Sequence, residues 1–332
     1  MLSRAAETLY WMARYIERAE DITRLLAVNF DALLDIRPED TRAGWLPLIT
    51  ITGDEELFLS SYKDVTPRAV IEFLLWHPQN ENAVVSCINR ARENARTVRE
   101  QISSEMWEHI NRLYFRVSDV KRNNVLRNPS EFFSQVRNGS QAFGGITAAT
   151  LTHGDSYEFM QLGMYLERAD KTARILHAKY MYISKLAEDS AETYPQLIAL
   201  LRSCSAFEPF RRAAQGELTL ERVVDYLMLD KAFPRAILFS LLRALQALDR
   251  LGSDHATTLG RFEHPRRTLG RLSADLEYLD THHLLGDGMD PYLNQLLVRL
   301  NAIGDDVARA YFTTRVILPD SRPQHQQQQQ QS

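Results

Sequence analysis

A twelve-residue pattern that occurs twice constrains the fold of this chain more than any other feature. Residues 15–26 read Tyr-Ile-Glu-Arg-Ala-Glu-Asp-Ile-Thr-Arg-Leu-Leu, and residues 165–176 read Tyr-Leu-Glu-Arg-Ala-Asp-Lys-Thr-Ala-Arg-Ile-Leu. Each copy lies in a long segment whose apolar residues recur with the period of an α-helix, about 3.6 residues. Two long helices with matching sequences predict a duplicated helical bundle with two pseudo-symmetric halves.

The rest of the chain also favours an all-α fold. Only 14 Gly and 12 Pro interrupt the 332 residues, and no segment shows the alternation typical of a strand. We expect a single helical domain over residues 1–318, with halves of roughly 1–150 and 151–318. The Gln-rich tail, residues 319–332, is predicted to be disordered. Gly144-Gly145 is expected to bend the helix that carries it.

Charge and cysteine content exclude several classes of protein. A net charge of −4 and a pI near 6.2 provide no attraction to nucleic acid or to an anionic membrane surface. No apolar run is long enough to span a bilayer, and Met1 to Glu20 lacks the apolar core of a signal peptide. Two scattered cysteines suit a reducing compartment, so a cytoplasmic location is expected. The oligomeric state stays open, a homo-oligomer included.

The repeated pattern places charged side chains in a stripe along each helix. At about 100° per residue, Glu17, Glu20 and Arg24 fall within roughly 60° of one another. Glu167, Asp170 and Arg174 repeat that stripe in the second copy; in both copies the Arg after the first Glu turns toward the apolar flank. An Arg in that position needs a buried acceptor or must extend its charged end to solvent.

Two interpretations of the stripe are open. It is typical of a solvated helix face, since Glu20–Arg24 and Asp170–Arg174 are acid-first i,i+4 pairs. However, the like charges of Glu17 and Asp21 and the repetition in a distant helix favour a shared, buried polar site. The predicted substrate- or partner-binding residues are Glu17, Arg18, Glu20, Arg24, Glu167, Arg168, Asp170, Arg174 and His153.

Other candidate sites are less well supported by the sequence. His153 precedes the second motif helix, where a helix N-terminus favours anion binding. The four acids Glu17, Glu20, Glu167 and Asp170 form an alternative metal site, although the paired His of known dimetal bundles is missing. Asp230 and Arg235 are interpreted as a structural ion pair. No catalytic residue and no cofactor are indicated.

At these residues the chain resembles the alpha-E domain family, bacterial all-helical proteins with a Glu-Arg motif. The resemblance extends from Met1-Leu2-Ser3-Arg4 through Leu9-Tyr10-Trp11 to Arg24, and over Phe143 to Arg174. It also includes the segments 91–96, 105–108 and 233–235, and covers most of residues 1–316. Asp170 stands where the first copy has a Glu.

The resemblance implies a partnership with circularly permuted ATP-grasp ligases, and with transglutaminase-like and proteasome-like hydrolases. Such systems form or modify peptide or amino-acid amide bonds. The favoured hypothesis is therefore an accessory or binding protein of such a ligase. The alternatives are a stand-alone enzyme that uses paired carboxylates, with or without a metal, and a structural scaffold in which the motif clamps the two halves together.

Overall fold

The chain folds into α-helices packed around one apolar core. The computed structural model describes residues 1–35, 41–186, 190–213, 216–253, 263–285 and 288–313. These residues contain fifteen α-helices, two short 3-10 turns and a π-helical turn, and no strand. The all-α prediction is therefore confirmed for the described part of the chain, while the Gln-rich tail, 319–332, lies outside it.

The helices follow one another in this order: α1 Ser3–Asp35, α2 Thr41–Thr52, α3 Glu55–Ser61, α4 Pro67–Trp76, α5 Val84–Thr97, α6 Ser104–Ser118, α7 Arg122–Arg127, α8 Ser130–Thr150, α9 Asp155–Ile183, α10 Thr193–Ser203, α11 Phe207–Ala213, α12 Leu220–Leu229, α13 Ile237–Ser253, α14 Glu263–Glu277 and α15 Met289–Val307. The π-helical turn, Ala308–Phe312, continues α15.

The two motif helices lie at the centre of the bundle and pack against each other. Helix α1 has 33 residues and also contacts α5, α8 and α10, while α9, with 29 residues, contacts α13, α15 and α12 as well. Neighbours on several sides cover both the apolar and the charged stripes of these helices. Side chains of the motif must therefore find their partners inside the protein.

A close approach of the two backbones fixes how α1 meets α9. A Cβ atom added at Gly163 of α9 would lie 2.3 Å from the carbonyl oxygen of Tyr10 in α1. No side chain fits at that distance, so glycine is required at this position for steric reasons rather than for flexibility. The contact sets the axial position of one motif copy against the other.

Helix α8 continues through the glycine pair that was expected to bend it. It runs unbroken from Ser130 to Thr150 because Phe143 and Thr147 are buried against neighbouring helices. Tertiary packing outweighs the helix propensity of Gly144 and Gly145, which costs roughly 1 kcal/mol each. Both glycines face open space.

Along the described helices, no segment is both long enough and apolar enough to cross a bilayer. The two cysteines, Cys87 and Cys204, are free thiols buried in the core.

Substituting Gly163→Ala should destabilise the fold, because its Cβ clashes with the Tyr10 carbonyl oxygen and forces α1 and α9 apart. We expect a loss of about 1–3 kcal/mol or more in the free energy of unfolding, measured by urea denaturation. Gly145→Ala is the matched control; it meets open space and should gain roughly 0.5–1 kcal/mol. Equal behaviour of the two variants would contradict the close approach.

Candidate functional site

The charged stripes of both motif helices are buried, except for Arg174, whose side chain is 26% exposed. Glu17, Glu20 and Arg24 are 7%, 2% and 3% exposed, and Glu167 is fully buried. The interpretation as a solvated helix face is therefore wrong. The helices packed around α1 and α9 exclude water from the motif, so its charges stabilise one another instead.

The Glu-Arg dipeptides of the two helices pair reciprocally. Arg18 donates from Nε to Glu167 Oε1 at 2.6 Å and from Nη2 to Oε2 at 3.0 Å. In the opposite direction, Arg168 donates to Glu17 at 2.7 and 2.9 Å. Both pairs are bidentate, which is the strongest and most directional form of this interaction. The motif thus clamps α1 to α9, and the expected buried acceptor of each Arg is the Glu of the other copy.

A first group of charges, the Arg235 cluster, gathers around the segment before α13. It consists of Glu17, Glu20, Asp21, Arg24, Arg168 and Arg235. Arg235 Nη1 donates to Glu17 and Asp21, each at 2.8 Å, and its Nη2 donates to Glu20. Arg24 donates to Glu20 at 2.6 Å, to Asp21, and from Nε to the Ser203 carbonyl oxygen at 2.7 Å. Three carboxylates and three guanidiniums balance in this cluster.

Sequence reasoning missed the role of Arg235 in this cluster. The expected ion pair with Asp230 is replaced by backbone contacts, since Asp230 accepts from the amides of Ala232 and Phe233 at 2.8 and 2.6 Å. Arg235 instead enters the core beside α1. The charge count of the α1 stripe could have indicated such a residue. The three acids Glu17, Glu20 and Asp21 outnumber the cations of the same stripe, so a cation from another segment was needed to balance them.

A second group, the Glu167 cluster, consists of Arg14, Arg18, Glu167, Asp170, Lys171 and Arg174. Arg14 donates to Glu167 at 2.7 Å, and Arg174 donates to Asp170 at 2.9 Å. Lys171 lies 3.6 Å from Glu167 and 3.3 Å from Asp170.

This cluster extends outward through a residue that the sequence did not single out. Arg18 Nη1 donates to Asn82 Oδ1 at 2.7 Å, and the Asn82 amide donates to Asp54 at 3.0 Å.

The structure divides the predicted site residues between these two clusters. Glu17, Glu20 and Arg24 of α1 join Arg168, while Arg18 joins Glu167, Asp170 and Arg174. Each cluster contains residues of both motif helices. A single pocket that holds all four acids, as the sequence suggested, is therefore replaced by two clusters.

His153 lies away from both clusters. It is exposed before the start of α9, its ring stacks on Tyr157 with centroids 3.9 Å apart, and its Nε2 lies 3.1 Å from the Ala148 carbonyl oxygen. Glu167 follows fourteen residues later, about 21 Å along a helix.

The guanidiniums keep most of the motif acids ionised. Burial opposes ionisation of Glu17 and Glu20, but Arg168, Arg235 and Arg24 outweigh it and lower the pKa of both carboxyls. Arg18 and Arg14 outweigh burial in the same way and hold the pKa of Glu167 well below its usual range. These acids cannot exchange protons near neutral pH.

Asp21 is the exception. Burial raises its pKa to about 6 despite the attraction of Arg24 and Arg235. Its Oδ1 accepts from both guanidiniums, and its buried Oδ2 has no hydrogen-bond partner among the described residues. Asp21 is thus the carboxylate that the cluster stabilises least.

Glu17, Glu20 and Asp21 also bring carboxylate oxygens within 4.8 Å of one another, close enough to hold a metal ion. However, Arg24 and Arg235 already donate to this group, so a divalent cation would have to displace a guanidinium. The predicted four-acid metal site does not form, because Glu167 is bound by Arg14 and Arg18 instead.

A cavity of about 200 Å³ lies beside the Arg235 cluster, between α1, α8 and α9. Its polar wall consists of Glu17, Glu20, Arg168 and Arg235, joined by Ser140 and Gln141 of α8. Gln141 donates to Glu20 Oε1 at 3.1 Å. The remaining lining is mainly apolar and is formed by Ala13, Ile16, Phe143, Gly144, Thr147, Met160, Gln161 and Met164.

Replacing Glu167 by Gln should destabilise the protein strongly, because Arg14, Arg18 and Lys171 lose their shared buried carboxylate. We expect a loss of about 3–5 kcal/mol in the free energy of unfolding, measured by urea denaturation. The control is Glu93→Gln, whose side chain is 41% exposed and pairs with Arg92 and Arg96. That variant should lose about 1 kcal/mol or less; similar losses for both would contradict a buried clamp.

Asp21 and the other motif acids should produce opposite pH dependences. Because the pKa of Asp21 is raised from 3.8 to about 6 on folding, its ionisation costs stability that is recovered as the pH falls from about 7 toward 4. Glu17, Glu20 and Glu167, with lowered pKa values, contribute stability above their ordinary value of 4.5 and lose it below. Thermal unfolding against pH should show a maximum between these ranges, and Asp21→Asn should flatten only its neutral side. An unchanged neutral side in that variant would contradict the assignment.

Comparison with known proteins relates this geometry to a family. Residues 1–312 match Alpha-E, described as a predicted alpha-helical domain with a conserved ER motif. The uncharacterized proteins Mb2597 of Mycobacterium bovis and Rv2567 of Mycobacterium tuberculosis are each 24% identical to this chain over 337 residues, which is 95% of this chain and 37% of their own length. The chain thus spans little more than a third of these relatives. No solved structure gives a significant match. Since the family match covers nearly all of the described residues, this chain belongs to the Alpha-E family.

Proposed function

We propose that this Alpha-E protein is an accessory binding protein that works with a circularly permuted ATP-grasp ligase on peptide or amino-acid amide bonds. The observation that carries the proposal is the mutual neutralisation of the motif charges in the interior. Its carboxylates are held ionised by guanidiniums, so the motif builds and positions a cavity wall rather than moving protons. Glu17, Glu20, Arg168 and Arg235 are then the binding residues.

The other reactive groups of the core support a binding role. Burial raises the pKa of both Cys87 and Cys204 to about 12, so neither thiol forms a nucleophilic thiolate near neutral pH. Both thiols are free, which suits the cytoplasmic location that belongs to this proposal.

The length of the relatives supports the proposal that this domain works together with another protein or domain. The Mycobacterium proteins carry a segment like this chain within a sequence more than twice as long. Because a domain of this kind occurs joined to further sequence in these relatives, we infer that it works beside a partner domain or protein. The ligase, and a transglutaminase-like protein as a second partner, follow from the Glu-Arg family resemblance.

A duplication origin also belongs to this proposal. In the Arg18–Glu167 and Arg168–Glu17 pairs, the Arg of each helix binds the Glu of the other. This reciprocal pairing is expected if α1 and α9 descend from one ancestral helix. A pure scaffold is the second candidate, because the same buried pairs would clamp the helices without any ligand.

A stand-alone enzyme has one observation in its favour, the raised pKa of Asp21. A general acid or base must reach the proton that it transfers. Asp21 lies behind Arg235 and is not among the residues that line the cavity, which favours the accessory role.

Reconstitution tests the proposal. The purified chain should show no ATP turnover alone, should co-elute with the ATP-grasp ligase of its own organism, and should raise that ligase's rate of amide formation. Ligase activity that is identical with and without the chain would contradict the accessory role.

The variant Glu17→Gln separates this role from a scaffold. It removes the carboxylate that Arg168 and Arg235 share at the cavity wall. Assays are run below the melting temperature of the variant, measured by circular dichroism. A folded variant that no longer stimulates the ligase supports binding; a folded variant with full stimulation supports the scaffold. Glu93→Gln, an exposed carboxylate, is the control.

A further inference from the structure

The cavity beside the Arg235 cluster combines a charged wall with an apolar interior. Glu17, Glu20, Arg168 and Arg235 form the charged wall. Ile16, Phe143, Met160 and Met164 form most of the apolar wall. Gln141 and Gly144 of α8 line the same cavity and are exposed, so they stand at its opening. The cavity is therefore accessible from solvent along α8.

The charged wall is electrically balanced. Two ionised carboxylates face two guanidiniums, and Asp21 and Arg24 behind them add one charge of each sign. A ligand with a net charge would meet no excess of the opposite sign and would lose its hydration without compensation. The balance favours an uncharged ligand.

The wall nevertheless has unused hydrogen-bonding capacity. Ser140 is 5% exposed, lines the cavity, and its hydroxyl has no partner in the described structure. Buried hydroxyls are almost always hydrogen-bonded, so this one calls for a partner. Arg168 and Arg235 each donate three hydrogen bonds to described acceptors, out of five N–H groups. Glu17 Oε2 accepts one, from Arg168.

The wall is neutral and presents hydrogen-bond donors beside acceptors. It therefore matches an uncharged group that both donates and accepts hydrogen bonds. A carboxamide donates through N–H to Ser140 or Glu17 and accepts through its carbonyl oxygen from a guanidinium or from the Ser140 hydroxyl. The cavity of about 200 Å³ is smaller than the roughly 300–1,000 Å³ of drug-sized pockets. Met160 and Met164 give its apolar part an adaptable surface.

We infer that this cavity binds a compact apolar molecule through an uncharged carboxamide group, with Ser140 and the Glu17–Arg168 pair as its polar contacts. The inference rests on the binding role proposed above and names the class of ligand. The apolar part of the ligand packs against Phe143, Met160 and Met164. The carboxamide completes the hydrogen bonds of the wall without disturbing its charge balance.

Three probes of nearly the same shape test the ligand class: isovaleramide, isovalerate and isoamylamine, titrated into the full chain by ligand-observed NMR. The amide should bind at least about tenfold more tightly than the carboxylate or the ammonium, since each of these must lose its hydration uncompensated. Equal or tighter binding of a charged probe, or no binding of the amide at millimolar concentration, overturns the inference.

Two substitutions on α8 locate the site. Gly144→Leu places a side chain at the opening, where a Cβ meets open space, and should weaken amide binding at least about tenfold. Gly145→Leu is the matched control, since it is equally exposed and unobstructed but does not line the cavity, and it should bind as the parent does. An unaffected Gly144→Leu variant places the amide elsewhere and overturns the inference.

Ser140→Ala tests the polar contact and should weaken amide binding by about two- to tenfold, the effect of one hydrogen bond. Unchanged binding in this variant excludes the Ser140 contact and overturns that part of the assignment. The ligase assay is read separately: stimulation that persists while the amide fails to bind defeats this inference alone. Amide binding without any effect on the ligase defeats the proposed function alone.

Discussion

The pairing of buried carboxylates with guanidiniums across α1 and α9 is the interaction on which the rest of the structure depends. Removing these charges from water is costly, and only close, bidentate partners compensate for it. A shift of α9 by one turn along α1 would separate Glu17 from Arg168 and Glu167 from Arg18, and so break both bidentate pairs. The pairs thus make the packing of the two central helices specific, because they form in only one register of α9 against α1. The contact between Gly163 and Tyr10 requires the same register.

The distribution of charge between the two clusters gives each a different character. The Arg235 cluster is neutral, with three acids and three guanidiniums, and it borders a cavity with a polar wall. In the Glu167 cluster, four cations surround Glu167 and Asp170, and Asn82 carries the contacts outward to Asp54. The two copies of the motif therefore share one role, clamping α1 to α9, but their charged residues lie in two clusters of different net charge.

Much of the fold could be predicted from the sequence, and less of the site. The all-α class, the two long motif helices and the residues of the stripe followed from the helical period and from the repeat. The placement of Arg18 and Arg168 beside their apolar flank correctly indicated buried acceptors, although not their identity. The solvated-face interpretation failed because periodicity describes one helix and does not show how many neighbours surround it. Arg235 and Ser140 were missed because each is remote in sequence from the motif and acquires its role only through contact.

The sequence by itself determined which segments are helical and which side chains lie on one face, since both depend on local geometry that repeats every few residues. Only the tertiary structure decided that the charged face is interior, that each Glu pairs with the Arg of the other copy, and that Arg235 completes the cluster. Those outcomes depend on contacts between residues as much as 218 positions apart along the chain. Such contacts form when the folded core excludes water and every buried charge must find a partner of opposite sign.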